Sequence, residues 1–446
     1  MPSEKIGLVS LGCAKNLVDS EVLLGRLQAA GYTVTSREKE ADVLIVNTCA
    51  FILPAVKESL RNIFELARLK QNGKCRRLLV AGCLTLRYGR RLFTELPEVD
   101  GFLGAGADPG AAEAVKRVLA GERIYAVDRP SRREPDGPLP RLLATPPYTA
   151  YVKIAEGCSN RCSFCTIPAI RGRYRSRTIA SIAEEVNSLA QKGVQEIILI
   201  AQDTSRYGMD RPGAGRLPEL IRRLDAVFGL RWLRLLYCSP DYFPEELIPV
   251  LASSPKCCRC LDIPIQHASN EILKKMNRRK TIEEIRALIR RLRAAVPGLE
   301  LRTTFLVGFP GESETHFAEL LDFAREISFD YAGVFKFYPE EGTPAAGLPG
   351  QVPEEVKEER YHRLMALQQE ISLRQNRQKV GKKLTVLVEG KAGRLFYGRA
   401  ETAAPEVDGK VYFAAERPVS PGEFVPVLIQ KAKAYDLIGE LADEPA

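Results

Sequence analysis

Long apolar runs are missing from this chain of 446 residues. No hydrophobic stretch approaches the roughly 18 residues that cross a bilayer, so a membrane-spanning protein is not expected. The N-terminus carries no secretory leader, which makes a disulfide framework unexpected and a reducing, cytoplasmic location the expectation. Histidine is scarce, with three in the whole chain. None lies near the densest group of cysteines, so a closed zinc site of four N or S ligands lacks material there. Neither sign of charge dominates: 65 Lys and Arg stand against 56 Asp and Glu, a formal net charge of +9. That excess is spread along the chain and permits an acidic or nucleic-acid partner without requiring one. Internal repeats and a low-complexity tail are also lacking.

What remains is a globular composition, 45% hydrophobic and 27% charged, with 11 cysteines. The length implies about three domains. In a reducing compartment, that many cysteines point to metal or redox chemistry. The most informative run is Cys158-Ser159-Asn160-Arg161-Cys162-Ser163-Phe164-Cys165, just after a strand-like segment, Tyr151 to Ile154. Three thiolates on one short loop can each hold a corner of a 4Fe-4S cluster, leaving the fourth iron without a protein ligand. An electron carrier shields its cluster with four ligands, whereas an open iron is arranged for substrate chemistry.

Residues 1–128 alternate short apolar runs with helix-like stretches, the pattern of an open parallel α/β sheet. Cys13, Cys49 and Cys83 each follow one of its strands (Ile6 to Ser10, Val43 to Asn47, Leu78 to Ala81) within a few residues. A parallel sheet would bring all three to one carboxyl edge, where such sheets hold ligands, so a second cluster is expected there. Cys75 precedes its strand in a basic turn and is left out. Residues 129–147 turn to Pro, Arg and Gly and read as an exposed linker.

In residues 148–376, strands recur at Tyr151 to Ile154, Glu196 to Ala201, Trp232 to Tyr237, Leu261 to Ile265, Arg302 to Val307 and Tyr331 to Phe337, with helices between them. Repeated βα units suggest a partial TIM-like (β/α) barrel with its site at the carboxyl ends of the strands. Gln202 and Asp203, Gln266 and His267, and the turn from Gly308 to Glu312 fall at such ends and together make a candidate cofactor pocket. His316 and His362 read as helix-surface residues. Adjacent thiols at Cys257, Cys258 and Cys260 enter a strand and point to opposite sides, which argues against a third metal site. After a charged helix, Glu354 to Gln378, residues 377–446 break into short β runs with Gly and Pro between, as in a small antiparallel barrel.

The Cys-x3-Cys-x2-Cys loop with an aromatic before the last Cys resembles that of radical S-adenosylmethionine enzymes. Almost the whole chain resembles the methylthiotransferases, through Ser10-Leu11-Gly12-Cys13-Ala14-Lys15-Asn16-Leu17-Val18-Asp19-Ser20-Glu21, Leu261-Asp262-Ile263-Pro264-Ile265-Gln266-His267 and Tyr397-Gly398-Arg399-Ala400. The match is closest to the RimO branch, although Tyr237-Cys238-Ser239-Pro240 and Cys257-Cys258-Arg259-Cys260 depart from the pattern. The resemblance implies a radical S-adenosylmethionine barrel followed by a TRAM barrel. It implies one 4Fe-4S cluster on Cys158, Cys162 and Cys165, an auxiliary one on Cys13, Cys49 and Cys83, and S-adenosylmethionine with its adenine near Phe164. Its implied activity is methylthiolation of the β-carbon of an aspartate in the twelfth small-subunit ribosomal protein, with a reducing electron donor. The rival substrate is a tRNA adenosine, as in the MiaB branch. A TRAM barrel that grips RNA should be basic, but from Val380 onward nine cations meet ten acids. The basic stretches Arg171 to Arg177 and Lys274 to Lys280 remain as candidates for an acidic target or ribosomal RNA.

Overall fold

Val43–Thr48 is buried at every position, as a central strand of a parallel sheet covered on both faces must be. It belongs to the first of three bodies in the computed structural model, which describes residues 4–105, 110–127, 139–211 and 216–442. In chain order this body comprises β1 (Lys5–Ser10), α1 (Ala14–Ala29), β2 (Thr33–Thr35), β3 (Val43–Thr48), α2 (Leu53–Asn72), β4 (Arg77–Gly82), α3 (Cys83–Tyr88), α4 (Arg90–Glu95), β5 (Gly101–Leu103), α5 (Ala111–Leu119) and β6 (Ile124–Ala126). The six strands are parallel, in the order β2-β1-β3-β4-β5-β6. The order reverses beside β1, and ligands of open α/β sheets bind at such switch points.

Of the expected linker, 129–138 lie outside the described residues. The part that follows is tied down: the buried Arg141 guanidinium pairs with Glu21 on α1 at 2.5 Å and with Glu185 at 2.7 Å. The central body runs through β7 (Thr149–Lys153), β8 (Ala155–Glu156), α6 (Ile167–Arg171), β9 (Arg175–Ser176), α7 (Ile179–Gln191), β10 (Glu196–Ile200), α8 (Leu217–Asp225), β11 (Trp232–Leu235), α9 (Leu247–Ser253), β12 (Cys257–Asp262), α10 (Asn270–Lys275), α11 (Ile282–Ala295), β13 (Glu300–Val307), α12 (Glu314–Ile327) and β14 (Tyr331–Lys336). Its six-stranded sheet, β14-β13-β12-β11-β10-β7, is parallel throughout and open between β7 and β14. Alternate residues such as Ile197 and Leu199 pack outward on the helices, while Ile198, Ile200 and Tyr151 pack inward against Val18 of α1. α1 therefore covers part of the concave face.

The 24-residue α13 (Glu354–Arg377) leads to β15 (Lys383–Ala392), β16 (Leu395–Ala400), β17 (Val411–Ala414), β18 (Phe424–Ala432) and β19 (Leu437–Leu441), a closed barrel. It is not wholly antiparallel, because β17 and β19 pair in parallel. This barrel plugs the amino-terminal end of the central sheet. Arg399 reaches the fully buried Glu196 at 2.6 Å, and Arg302 pairs with Asp408. Among the described residues no helix is long and apolar enough to cross a membrane.

Candidate functional site

β1, β3 and β4 are neighbours, so the turns that leave them share one edge. Cys13 is the N-cap residue of α1, Cys49 directly follows β3, and Cys83 opens α3. Glycine lets these turns close on one another. A Cβ on Gly12 (φ 88°) would lie 3.0 Å from Cys49 Sγ, and one on Gly82 (φ 98°) would lie 2.3 Å from Asn47 Oδ1. Ser59 fixes Cys49 further, its Oγ accepting from the Cys49 amide at 3.1 Å and donating to the Cys49 carbonyl at 2.8 Å. Burial pushes the Cys83 thiol up to about 11, against the opposing pull of Arg171. Cys75 is elsewhere, buried in the core beneath β4.

The second triad lies on the loop between β8 and α6. The Cys158 amide donates to Gly172 O at 3.0 Å and the Ser163 amide to Met276 O at 3.0 Å, which anchors the loop at both ends. Burial pushes the Cys158 thiol up to about 12 and raises Cys165 as well. Arg278 Nη1 lies 3.9 Å from Cys162 Sγ and opposes the same effect there. All these thiols are unbridged. Among the described residues no three His, Cys, Asp or Glu side chains close around a single ion. A cubane, whose corners hold their thiolates further apart than one ion does, fits an all-thiol set of three per site.

A buried cation joins the N-terminal triad to the central domain. Arg171, the last residue of α6, donates from Nε to Cys83 Sγ at 3.2 Å, from Nη1 to Asp19 Oδ2 at 2.5 Å and Glu156 Oε2 at 3.2 Å, and from Nη2 to Asn16 Oδ1 at 3.1 Å. Lys153 Nζ bridges the same two carboxylates, 2.7 Å from Asp19 and 2.6 Å from Glu156. Burial disfavours a charged Glu156, but Lys153 and then Arg171 outweigh it and hold its carboxyl well below the usual range. A second link crosses nearby, from Arg87 to Glu340 at 2.8 Å, and the same carboxylate accepts from the Leu53 amide at 2.6 Å.

The expected pocket residues divide into two groups. Gln202 Nε2 donates to Glu156 Oε1 at 2.7 Å, and Asp203 accepts from Asn160 of the cysteine loop at 2.7 Å, so both stand beside the Cys158 triad. Gln202 Oε1 is buried without a partner. Phe164 meets Phe309 edge-on at 6.5 Å, which brings it to the turn that begins at Gly308. His267, by contrast, is wholly enclosed: Nδ1 accepts from the Ser269 amide at 3.0 Å, and Nε2 faces Glu312 at 3.4 Å. Glu312 in turn accepts from the Gly308 amide at 2.9 Å and from Arg360 at 2.8 Å. His267 thus braces the Gly308 turn from beneath. Tyr237 (φ 63°) and Gln266 (φ 78°) take the left-handed conformation at the ends of β11 and β12, a strain that side chains other than glycine adopt mainly at functional sites.

Sequence reasoning missed Arg171, Lys153, Arg278 and the pairing of Lys15 with Tyr237. Asn16 and Asp19 sat inside the Ser10 to Glu21 run and Glu156 two residues before Cys158, and their polarity close to cysteine was the available signal. The stretch Arg171 to Arg177 is not a free basic face, because Arg171 and Arg177 are buried in ion pairs. In Lys274 to Lys280, Arg278 is likewise turned inward, to Asp241 at 3.3 Å. His316 is no plain surface residue either; it completes the capping box of α12 with Ser313. His362 is exposed as expected.

Residues 152–324 match the Radical SAM superfamily, residues 380–442 the TRAM domain, and residues 5–104 an uncharacterized protein family, UPF0004. Fold and site thus define a radical S-adenosylmethionine enzyme with an N-terminal α/β domain and a C-terminal TRAM barrel. A ribosomal protein uS12 methylthiotransferase RimO from Pelotomaculum thermopropionicum is 56% identical, the match covering 98% of this chain and 99% of that one. Its namesake from Desulforamulus reducens is 53% identical over 99% and 100% of the two chains. The chain belongs to the RimO family of methylthiotransferases. In fold alone it also resembles the radical S-adenosylmethionine methyltransferase TsrM from Kitasatospora setae, with a TM-score of 0.55, 19% identity, and coverage of 89% of this chain and 81% of that one.

Proposed function

We propose that this chain adds a methylthio group to the β-carbon of an aspartate side chain in ribosomal protein uS12. One observation carries the reading: the buried Arg171, on the helix that follows the Cys158 loop, touches Cys83 of the N-terminal domain. A thiol of the first triad bonded to the helix that follows the second brings the two sites to one domain boundary, which suits a reaction that needs two clusters at a single substrate carbon. When bound, a 4Fe-4S cluster on Cys158, Cys162 and Cys165 supplies the electron for reductive cleavage of S-adenosylmethionine, and one on Cys13, Cys49 and Cys83 supplies sulfur, a second S-adenosylmethionine providing the methyl group. The β-hydrogen is not acidic enough for a side-chain base to remove, so no acid-base dyad is required. The protein's own part is to hold, orient and shield. Phe164, Gln202, Asp203 and Gln266 would border the cofactor, while His267 and Gly308 would shape the turn beside it.

The work is cytoplasmic, where uS12 and a low-potential electron donor are both at hand. Contact with ribosomal RNA falls to exposed cations such as Lys274 and Arg279, since the arginines after Cys165 are largely committed internally. Mass spectrometry of uS12 from cells with and without the gene tests the assignment. The methylthio group should vanish from the aspartate in the deletion strain. An unchanged aspartate together with loss of a methylthio group from tRNA adenosine would refute it.

A further inference from the structure

Lys15 carries a buried charge that no direct ion pair meets among the described residues, although Tyr237, Cys13 and Asp262 lie close enough to favour it against burial. The residue is 8% exposed, and among the described residues no carboxylate forms an ion pair with it. Its ammonium instead sits 3.2 Å from the centre of the Tyr237 ring. A buried cation without a direct ion pair is costly, and an aromatic face eases that cost without removing the charge. Helix stability offers no reason for it either. Lys15 occupies the first turn of α1, where the helix dipole is positive and a cation is disfavoured.

Tyr237 is held as though to receive it. Its left-handed backbone is pinned on both sides, the amide donating to Asp262 Oδ2 at 2.9 Å and the carbonyl accepting from the Thr204 amide at 2.9 Å. Ala14 and Leu17, either side of Lys15, pack with Tyr237 onto Tyr151, Ile198, Ile200 and Leu236 of the concave face. The ammonium therefore lies where the two domains meet, two residues from Cys13 and at the carboxyl end of β11.

We infer that Lys15 is the substrate-binding residue that grips the side-chain carboxylate of the target aspartate. This rests on the uS12 reading above. An arriving carboxylate supplies a direct ion pair, and because its carbon is bonded directly to the β-carbon, holding one positions the other. An adenine base brings no such anion, so the same lysine separates an acidic peptide from tRNA.

The test uses anaerobically reconstituted holoenzyme and two fluorescent synthetic peptides spanning the target loop of uS12 from the source organism, one with the aspartate and one with asparagine in its place. Affinity is read by anisotropy without reductant. Wild type should bind the aspartate peptide about tenfold or more tightly than the asparagine peptide, as a charge-assisted contact predicts. Lys15→Met should lose that factor for the aspartate peptide, keep its affinity for the asparagine peptide and retain wild-type iron content. Lys15→Arg should recover part of the preference. Equal affinity of wild type for the two peptides overturns the inference without any variant, as does a Lys15→Met protein that still discriminates or loses both peptides alike. Failure of wild type to bind either peptide refutes the uS12 reading itself.

Discussion

Replacing Arg171 by methionine keeps the hydrocarbon stem and removes the guanidinium that ties the helix after the Cys158 loop to Cys83 and α1 of the N-terminal domain. Arg171 is 3% exposed, and its loss strips a contact from Cys83, Asp19, Glu156 and Asn16 together. Breaking a buried ion pair by deleting one partner costs about 3–5 kcal/mol, because the other charge is left uncompensated. Here Lys153 stays 2.7 Å from Asp19 and 2.6 Å from Glu156, so the lower end, about 3 kcal/mol, is expected. The penalty falls on the contact between domains rather than on each core, which makes it a local opening free energy. At about 1.4 kcal/mol per decade it raises opening roughly a hundredfold. Hydrogen exchange read by mass spectrometry on anaerobic protein should show that acceleration in peptides covering α1 and the loop from Gly157 to Gly172. Peptides from β18, in the C-terminal barrel, should exchange at the wild-type rate. Less than a threefold change at α1, or an equal rise in β18, would refute the reasoning.

Iron content separates the two triads: reconstituted protein should carry about eight irons, and a variant with alanine at Cys158, Cys162 and Cys165 about half. Content that survives removal of either triad would sink the assignment. Gly157→Ala forces a side chain onto a φ of 77° and puts its Cβ 2.3 Å from Arg173 O, so a loss of stability of more than about 1 kcal/mol and fewer bound irons are expected. A wild-type melting temperature would contradict this. Glu196 is a pH reporter. Burial opposes its charge, but Arg399 and Arg234 prevail and lower its carboxyl from 4.5 to about 2. A depressed folded-state pKa gives stability that is present above about 4.5 and lost as pH falls towards about 2, at most about 3 kcal/mol here. The stability gap between wild type and Glu196→Gln should therefore narrow across that window, and a constant gap would argue against the pairing.

The strands of both sheets were legible because buried parallel strands are near-continuous apolar runs, and Val43–Thr48 and Glu196–Ile200 show it plainly. Short edge strands such as Thr33–Thr35 and Ile124–Ala126 carry too little pattern to see. The cysteines were legible by spacing on the loop and by topology on the first sheet. What could not be read was partnership at a distance. Arg171 lies in a run of alternating arginines that has the look of a solvated basic stretch, and only tertiary folding shows it buried against residues 88 to 155 positions away. For His267 the sequence shows only a rare histidine after a strand, and it takes the fold to show it enclosed against Glu312.

The position of the C-terminal barrel changes how its charge should be read. Near-neutrality alone argues weakly for a protein substrate, because part of the count is spent internally: Arg399 on Glu196 and Glu389, Asp408 on Arg302. These contacts lie at the amino-terminal ends of the central strands, where Ala404 joins the cluster that fills the concave face. Both thiol triads are at the opposite, carboxyl ends. A substrate must therefore reach the site from the side the TRAM barrel does not occupy, past the turns carrying Cys13, Cys49 and Tyr237. Choice between an aspartate and a base then falls to the groups at the mouth, and Lys15 is a cation there that no carboxylate among the described residues pairs directly.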